Sequence, residues 1–310
     1  MDNKAEFEGI HPSWRPVLDD AKFETIMSNL PETGLAPPRG QILNAFKHFP
    51  LDDLKVVCLG QDPYPTEGEA HGLAFSSPIS VPRSLKPIYK CLQNTGLIPT
   101  IPTTGDLTGW AKQGVLLLNK ALTTEVGKRR VHADQWDSFT DHIIETISEL
   151  HPGPIYFMLW GNDAKAVSGL IDEKHKIYTQ IHPSPMAQRY AKNESEKFVN
   201  CRDFKKINKR LTKRGLPPIN WWPTEAESKE GKSKKATQIS DRHTKVHYTT
   251  RSNMQNSARS FVEWLASYKQ SGERKFVGGV IPFMPVEEKM DFATEPEPWI
   301  VAELKKEFGI

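Results

Sequence analysis

The chain has 310 residues, 37% of them apolar, with a net charge of +3 and three cysteines. That composition excludes a disordered chain and a disulfide-stapled scaffold, and so small a net charge does not by itself declare a nucleic-acid partner. No apolar run approaches the length of a bilayer span, and the start MDNKAEFEGI lacks the basic and then apolar order of a signal peptide, so the expectation is a soluble, intracellular protein with no membrane partner.

In chain order, four short β-rich runs stand out: LKVVCLG (54–60), GVLLLN (114–119), PIYFMLWG (154–161) and KIYTQIH (176–182). Each has the length of a strand buried on both faces. Helical spacing occupies 83–95, 136–150 and 162–170 between them, and 203–214 after the fourth. Strand and helix therefore alternate, which predicts an α/β fold with a central, mostly parallel four-stranded sheet and helices on both faces. Cys58, Cys91 and Cys201 are widely separated, with no CxxC metal pair, which fits a reducing compartment.

After Trp222 the character changes. TEAESKEGKSKKATQ is a polar bridge; residues 228–275 carry 11 Lys or Arg against 4 Asp or Glu, and 276–310 carry 3 against 7. The expected organisation is an N-terminal tail (1–13), a main domain (14–222), a polar basic linker (223–256) and a C-terminal extension (257–310) in which SARSFVEWLASYKQ has helical spacing. The basic half of this tail reads equally as a non-specific DNA contact or as a solvated linker. KSKK reads as a short, weak nuclear import signal, which would place a eukaryotic protein in the nucleus rather than in the cytoplasm of a bacterium or infected host.

In a doubly wound sheet, ligands bind beyond the carboxyl ends of the strands. The residues just past those ends are Gln61 and Asp62, then Asn119, then Gly161 and Asn162, then His182. Asp62 precedes Pro63, which restricts its backbone to extended geometry, although an Asp at this place also serves simply as a turn cap. His182 opens HPSP, a Pro-stiffened loop in which Ser184 offers a hydroxyl; His11 opens a similar HPSW with no strand before it and is assigned no function. Asn119 can read a ring edge bidentately, or merely end a strand. With Phe75 available to stack on a planar ring, the set as a whole fits a nucleobase.

GQDPYPTEGEAHGLAFS, LLLNKALT, LWGNDA and HPSPMA, in this order and spacing, resemble the family 1 uracil-DNA glycosylases over about Trp14 to Trp221. The resemblance implies a monofunctional enzyme that flips uracil out of DNA and hydrolyses its N-glycosidic bond to leave an abasic site, in base excision repair. Asp62 matches the catalytic Asp that orients water and faces the sugar cation, and His182 the imidazole that stabilises O2 of the departing base. Gln61 matches a residue whose backbone contacts the base pocket, Tyr64 the aromatic that excludes thymine's methyl, Phe75 the stacking ring and Asn119 the amide that reads O4 and N3. Ser84 and Ser184 match backbone-gripping serines, and Met186 stands where the family has a Leu wedge.

The resemblance further implies no cofactor and no metal, a monomer, uracil-containing DNA, single- or double-stranded, as partner, and proteinaceous inhibitors. A replication or repair partner for the C-terminal extension is a separate expectation. Three departures stand out: Pro65 where most members have His, Arg83 where a second Pro is usual, which adds a candidate DNA-phosphate contact, and Met186 for Leu. Poxvirus members, which serve as processivity components, also carry Pro after the Tyr. The alternative function is therefore a DNA-binding or replication scaffold on the same fold with secondary or lost excision. The presence of both Asp62 and His182 favours the enzyme.

Overall fold

The computed structural model describes residues 3–223. The expected tail elements, from residue 224 on, lie outside them. Four strands, β1 (Val56–Gly60), β2 (Val115–Asn119), β3 (Tyr156–Trp160) and β4 (Lys176–Gln180), form one parallel sheet in the order β2-β1-β3-β4. Registers Gly60 to Asn119, Leu59 to Leu159 and Trp160 to Gln180 bring the carboxyl ends of all four strands to one rim. The chain winds from β1 outward to β2 and then, from β3, outward to β4 on the other side, so a crevice opens between β1 and β3 where the winding reverses.

Alternating side chains divide the core into two layers, as a pleated strand dictates. Val57, Leu59, Leu116, Leu118, Phe157 and Leu159 face one layer with residues of α1 (Asp20–Ser28) and of Ala133–Leu150, while Val56, Cys58, Val115, Leu117, Tyr156 and Met158 face the other with residues of Leu85–Asn94 and Asp203–Lys213. These three further helices are α2 (Leu85–Asn94), α3 (Ala133–Leu150) and α4 (Asp203–Lys213). On α3, Trp136, Phe139, Ile143 and Ile147 recur at helical spacing and are all fully buried. The helices thus cover both faces of the sheet, and none of the described helices is long and apolar enough to cross a membrane.

Three details depart from the sequence expectation. The fourth strand is not buried on both faces: only Tyr178 of Lys176–Gln180 is buried, whereas β2, the other edge strand, is buried throughout. The stretch 162–170 is a short α-helix (Asn162–Ala166) followed by a 3-10 turn (Val167–Leu170). Helix α1 had no place in the expected elements, although Asp19 caps it by accepting the Lys22 N–H at 2.9 Å.

Cys91 and Cys201, distant in sequence, meet in the core with their sulfurs 3.2 Å apart. A small antiparallel ladder, Leu35–Ala36 with Thr124–Glu125, ties the N-terminal region to the loop after β2. The Val126 N–H extends this tie by donating to the Gly34 carbonyl at 2.8 Å. That loop reaches the crevice.

Candidate active site

Past β1, the backbone stays registered with β2: the Lys120 N–H donates to the Gly60 carbonyl (3.0 Å) and the Ala121 N–H to the Gln61 carbonyl (2.9 Å). Gly60 is a steric requirement, because a Cβ there would lie 2.3 Å from Asn119 Oδ1 and 3.0 Å from Ala74 Cβ. The Asp62 loop is stapled by the loop after β2. The Arg130 N–H donates to Asp62 Oδ2 at 3.2 Å, and the Gly127 N–H donates to the Pro65 carbonyl at 2.8 Å. Burial pushes the Asp62 carboxyl above the usual carboxylate range; the Arg130 amide and the charges of Arg129 and Arg130 oppose this, and Asp163 adds to it.

Asp163 stands at the start of the short helix after β3. Its Oδ2 accepts from Gln61 Nε2 and, at 2.8 Å, from Arg130 Nη1. Arg130 and Phe75 are the non-glycine residues with left-handed backbones among those described, at φ 59° and 63°. Such a conformation costs about 1–3 kcal/mol and persists only where surroundings impose it.

Phe75 is imposed by packing: its ring lies 5.1 Å from that of Trp160 and 6.2 Å from that of His182, centroid to centroid. Its carbonyl accepts from the Tyr64 hydroxyl at 3.2 Å, and that hydroxyl is 2.7 Å from Ser84 Oγ. Burial holds the Tyr64 phenol above its ordinary value.

Asn119 closes β2. Its side chain is only 9% exposed, yet among the described residues nothing hydrogen-bonds its amide. It lines the cleft, where an amide that no protein group engages is free to pair with a ligand.

Past β4, the HPSP segment folds on itself. His182 Nδ1 accepts the Ser184 N–H at 3.1 Å, its carbonyl accepts from Gln188 Nε2 at 3.0 Å, and Ser184 Oγ caps the turn Pro185–Arg189 by accepting the Ala187 N–H at 3.3 Å. Because Nδ1 is an acceptor, the neutral ring carries its proton on Nε2. Burial lowers the His182 pKa, against a raising influence from Asp163, and so favours this neutral form. Gly161, at φ 88°, passes under the imidazole; a Cβ there would come within 3.2 Å of His182 Cβ. Met186, in the first turn of the short helix, is 69% exposed.

All ten sequence-selected residues, Gln61, Asp62, Tyr64, Phe75, Arg83, Ser84, Asn119, His182, Ser184 and Met186, line one cleft of about 630 Å³. That is ample for a nucleotide-sized ligand. Arg129 and Arg189 line its mouth as well, and sequence reading did not select them. In sequence they appear as ordinary surface cations. Only the tertiary approach of their segments brings them to the cleft that Arg83 also lines.

The family model described as the Uracil DNA glycosylase superfamily matches residues 46–212. The uracil-DNA glycosylase of Campylobacter concisus is 46% identical over 224 residues, which cover 68% of this chain and 94% of that protein. That of Dichelobacter nodosus is 44% identical over 225 residues, covering 68% and 95%. Among solved structures, the mimivirus uracil-DNA glycosylase aligns with a TM-score of 0.64 at 30% identity, covering 71% of this chain and 89% of that one. A mimivirus variant solved in complex with UGI aligns with the same TM-score. A family model spanning more than half of the chain, with relatives matched over nearly their whole length, places this chain in family 1 of the uracil-DNA glycosylases.

Proposed function

We propose that this protein takes uracil out of the DNA stack and hydrolyses its N-glycosidic bond in base excision repair, ending at the abasic site. The observation that carries the reading is the cleft itself: a carboxylate, an unpartnered amide and an imidazole with its proton on Nε2 arrive from three different strand ends. Breaking the bond leaves positive charge on the deoxyribose and negative charge on the base. Preorganised groups of opposite character on the two sides lower that barrier.

Asp62 faces the sugar, where it orients the attacking water and stabilises the cation. His182 donates from Nε2 to O2 of the departing uracil, and its neutral form suits a donor whose tautomer is fixed by the Ser184 amide. Phe75 stacks on the ring, Asn119 pairs with O4 and N3, Gln61 contributes pocket backbone, and Tyr64 fills the space a thymine methyl would need. Extrusion of the nucleotide costs a few kcal/mol, offset by Met186 as an apolar wedge and by Ser84, Ser184 and Arg83 on the DNA backbone. The UGI complex of the mimivirus relative supports the further reading that a proteinaceous inhibitor binds this chain on the same face.

The test is a labelled oligonucleotide with one deoxyuridine, incubated with the protein in chelator and treated with alkali to cut abasic sites. Cleavage at uracil and not at thymine or cytosine supports the reading; DNA binding without excision refutes it. The pH dependence is a separate check. Asp62 acts ionised and its carboxyl is raised by burial, so the single-turnover rate falls as pH drops through a value above the ordinary carboxylate range. The lowered His182 pKa keeps the imidazole neutral at neutral pH. A rate that stays level down to pH about 4 would contradict this role for Asp62.

A further inference from the structure

We infer that Arg130 is a positioning residue for Asp62: Asp163, itself held by Gln61, clasps its guanidinium, and the clasp holds its backbone N–H on one oxygen of the Asp62 carboxylate. The inference rests on the proposed role of Asp62. The contacts close a ring. Gln61 Nε2 donates to Asp163 Oδ2, Arg130 Nη1 donates to the same oxygen at 2.8 Å, the Arg130 N–H donates to Asp62 Oδ2 at 3.2 Å, and Asp62 follows Gln61 in the chain. Three segments, the ends of β1 and β3 and the loop after β2, are thereby joined around one carboxylate.

Two features argue that the ring acts on Asp62 and not on the fold. The Arg130 and Asp163 side chains are 53% and 42% exposed, and an ion pair so open to water contributes little to stability. Arg130 also holds a left-handed backbone at φ 59°, which a glycine would adopt without strain. An arginine there makes sense when its side chain is needed to impose the conformation that aims its N–H. With Oδ2 held, the carboxylate loses a rotational freedom and presents Oδ1, which no described residue engages, to the cleft.

The charges around Asp62 set how the clasp shows in a pH profile. Arg129 and Arg130 come from the loop after β2, Asp163 from the helix start after β3, and His182 from the loop after β4. Removing the Arg130 charge takes away an influence that keeps Asp62 ionised, so the acid limb of the rate moves to higher pH.

The experiment compares the full chain with Arg130→Met, Arg130→Lys, Asp163→Asn and Asp62→Asn in single-turnover excision across pH. Affinity is measured in parallel against salt, using an oligonucleotide with unreactive 2′-fluoro-deoxyuridine. Arg130→Met and Asp163→Asn are each expected to slow excision about tenfold, as slight misplacement of a reacting group does, with affinity nearly unchanged. The acid limb of Arg130→Met shifts upward, and Arg130→Lys recovers most of the rate. Asp163→Asn at the wild-type rate overturns the inference, as does an Arg130→Met defect confined to salt-dependent affinity, which would make Arg130 a phosphate contact. Should Arg130→Met fail to fold, Arg130→Lys and Asp163→Asn decide the matter. Wild-type excision by Asp62→Asn would overturn the proposed role of Asp62 itself.

Discussion

Replacing Asp62 by Asn is expected to slow uracil excision about a thousandfold or more, while affinity for uracil-containing DNA stays within a few-fold. The amide has the same size and its oxygen can still accept the Arg130 N–H, so the local geometry survives. What disappears is the negative charge opposite the sugar cation and the strong acceptor that orients water. Both matter only as the bond breaks, so the loss falls on the chemical step and not on binding. Single-turnover rates and affinity for the unreactive 2′-fluoro oligonucleotide separate the two. A defect of less than about tenfold would mean that the charge at this position is not what lowers the barrier.

A second large loss, about a hundredfold, is expected from Gly60→Ala, a residue that touches neither sugar nor phosphate in the proposed mechanism. Its backbone is ordinary strand, so alanine is tolerated conformationally, and the carbonyl still accepts the Lys120 N–H. The added methyl instead takes the place of Asn119 Oδ1, which would be 2.3 Å away. That amide is the end of a movable side chain, so it swings aside and the fold survives. Recognition of the uracil edge does not, and the preference for uracil over cytosine should weaken with it. Circular dichroism and thermal unfolding should therefore resemble wild type, and Gly60→Ala combined with Asn119→Ala should be no slower than Asn119→Ala alone. Additive losses in the double variant would show that Gly60 acts on something other than Asn119.

The sheet was legible because β1, β2 and β3 are almost unbroken apolar runs with helical periodicity between them. β4 was legible as a strand but not as one with largely uncovered faces: Lys176, Thr179 and Gln180 of KIYTQ are polar, and only Tyr178 is buried. Helix α1 was signalled by the Asp19 cap and by Phe23, Ile26 and Met27, but it stands before the first strand, outside the βαβ rhythm that directed attention.

At the site, the strand-end rule leads from sequence to Asp62, Asn119 and His182 because their position depends only on where a strand stops. Arg130 and Asp163 were not legible. GKRR reads as a solvated charge run and the Asp of LWGNDA as an acidic helix start, and only the approach of their loops in space makes them partners. The two HPS segments show the limit of local reading from the other direction. His11 Nδ1 accepts the Ser13 N–H at 3.2 Å just as His182 Nδ1 accepts that of Ser184 at 3.1 Å. The turns are alike, and what distinguishes them is that one follows a strand into the crevice.

The parallel order β2-β1-β3-β4 also governs when the enzyme becomes active. The strands that deliver Asp62 and His182 are the first and last of the sheet in sequence, with β3 between them in space. No stretch of local contacts can bring those two residues together; pairing across most of the domain must come first, and such non-local pairing is slow. A chain that has not yet exposed β4 therefore has no partial cleft with which to attack DNA. In renaturation, recovery of excision should follow, and never precede, the burial of the core tryptophans, so that catalysis reports the completed sheet.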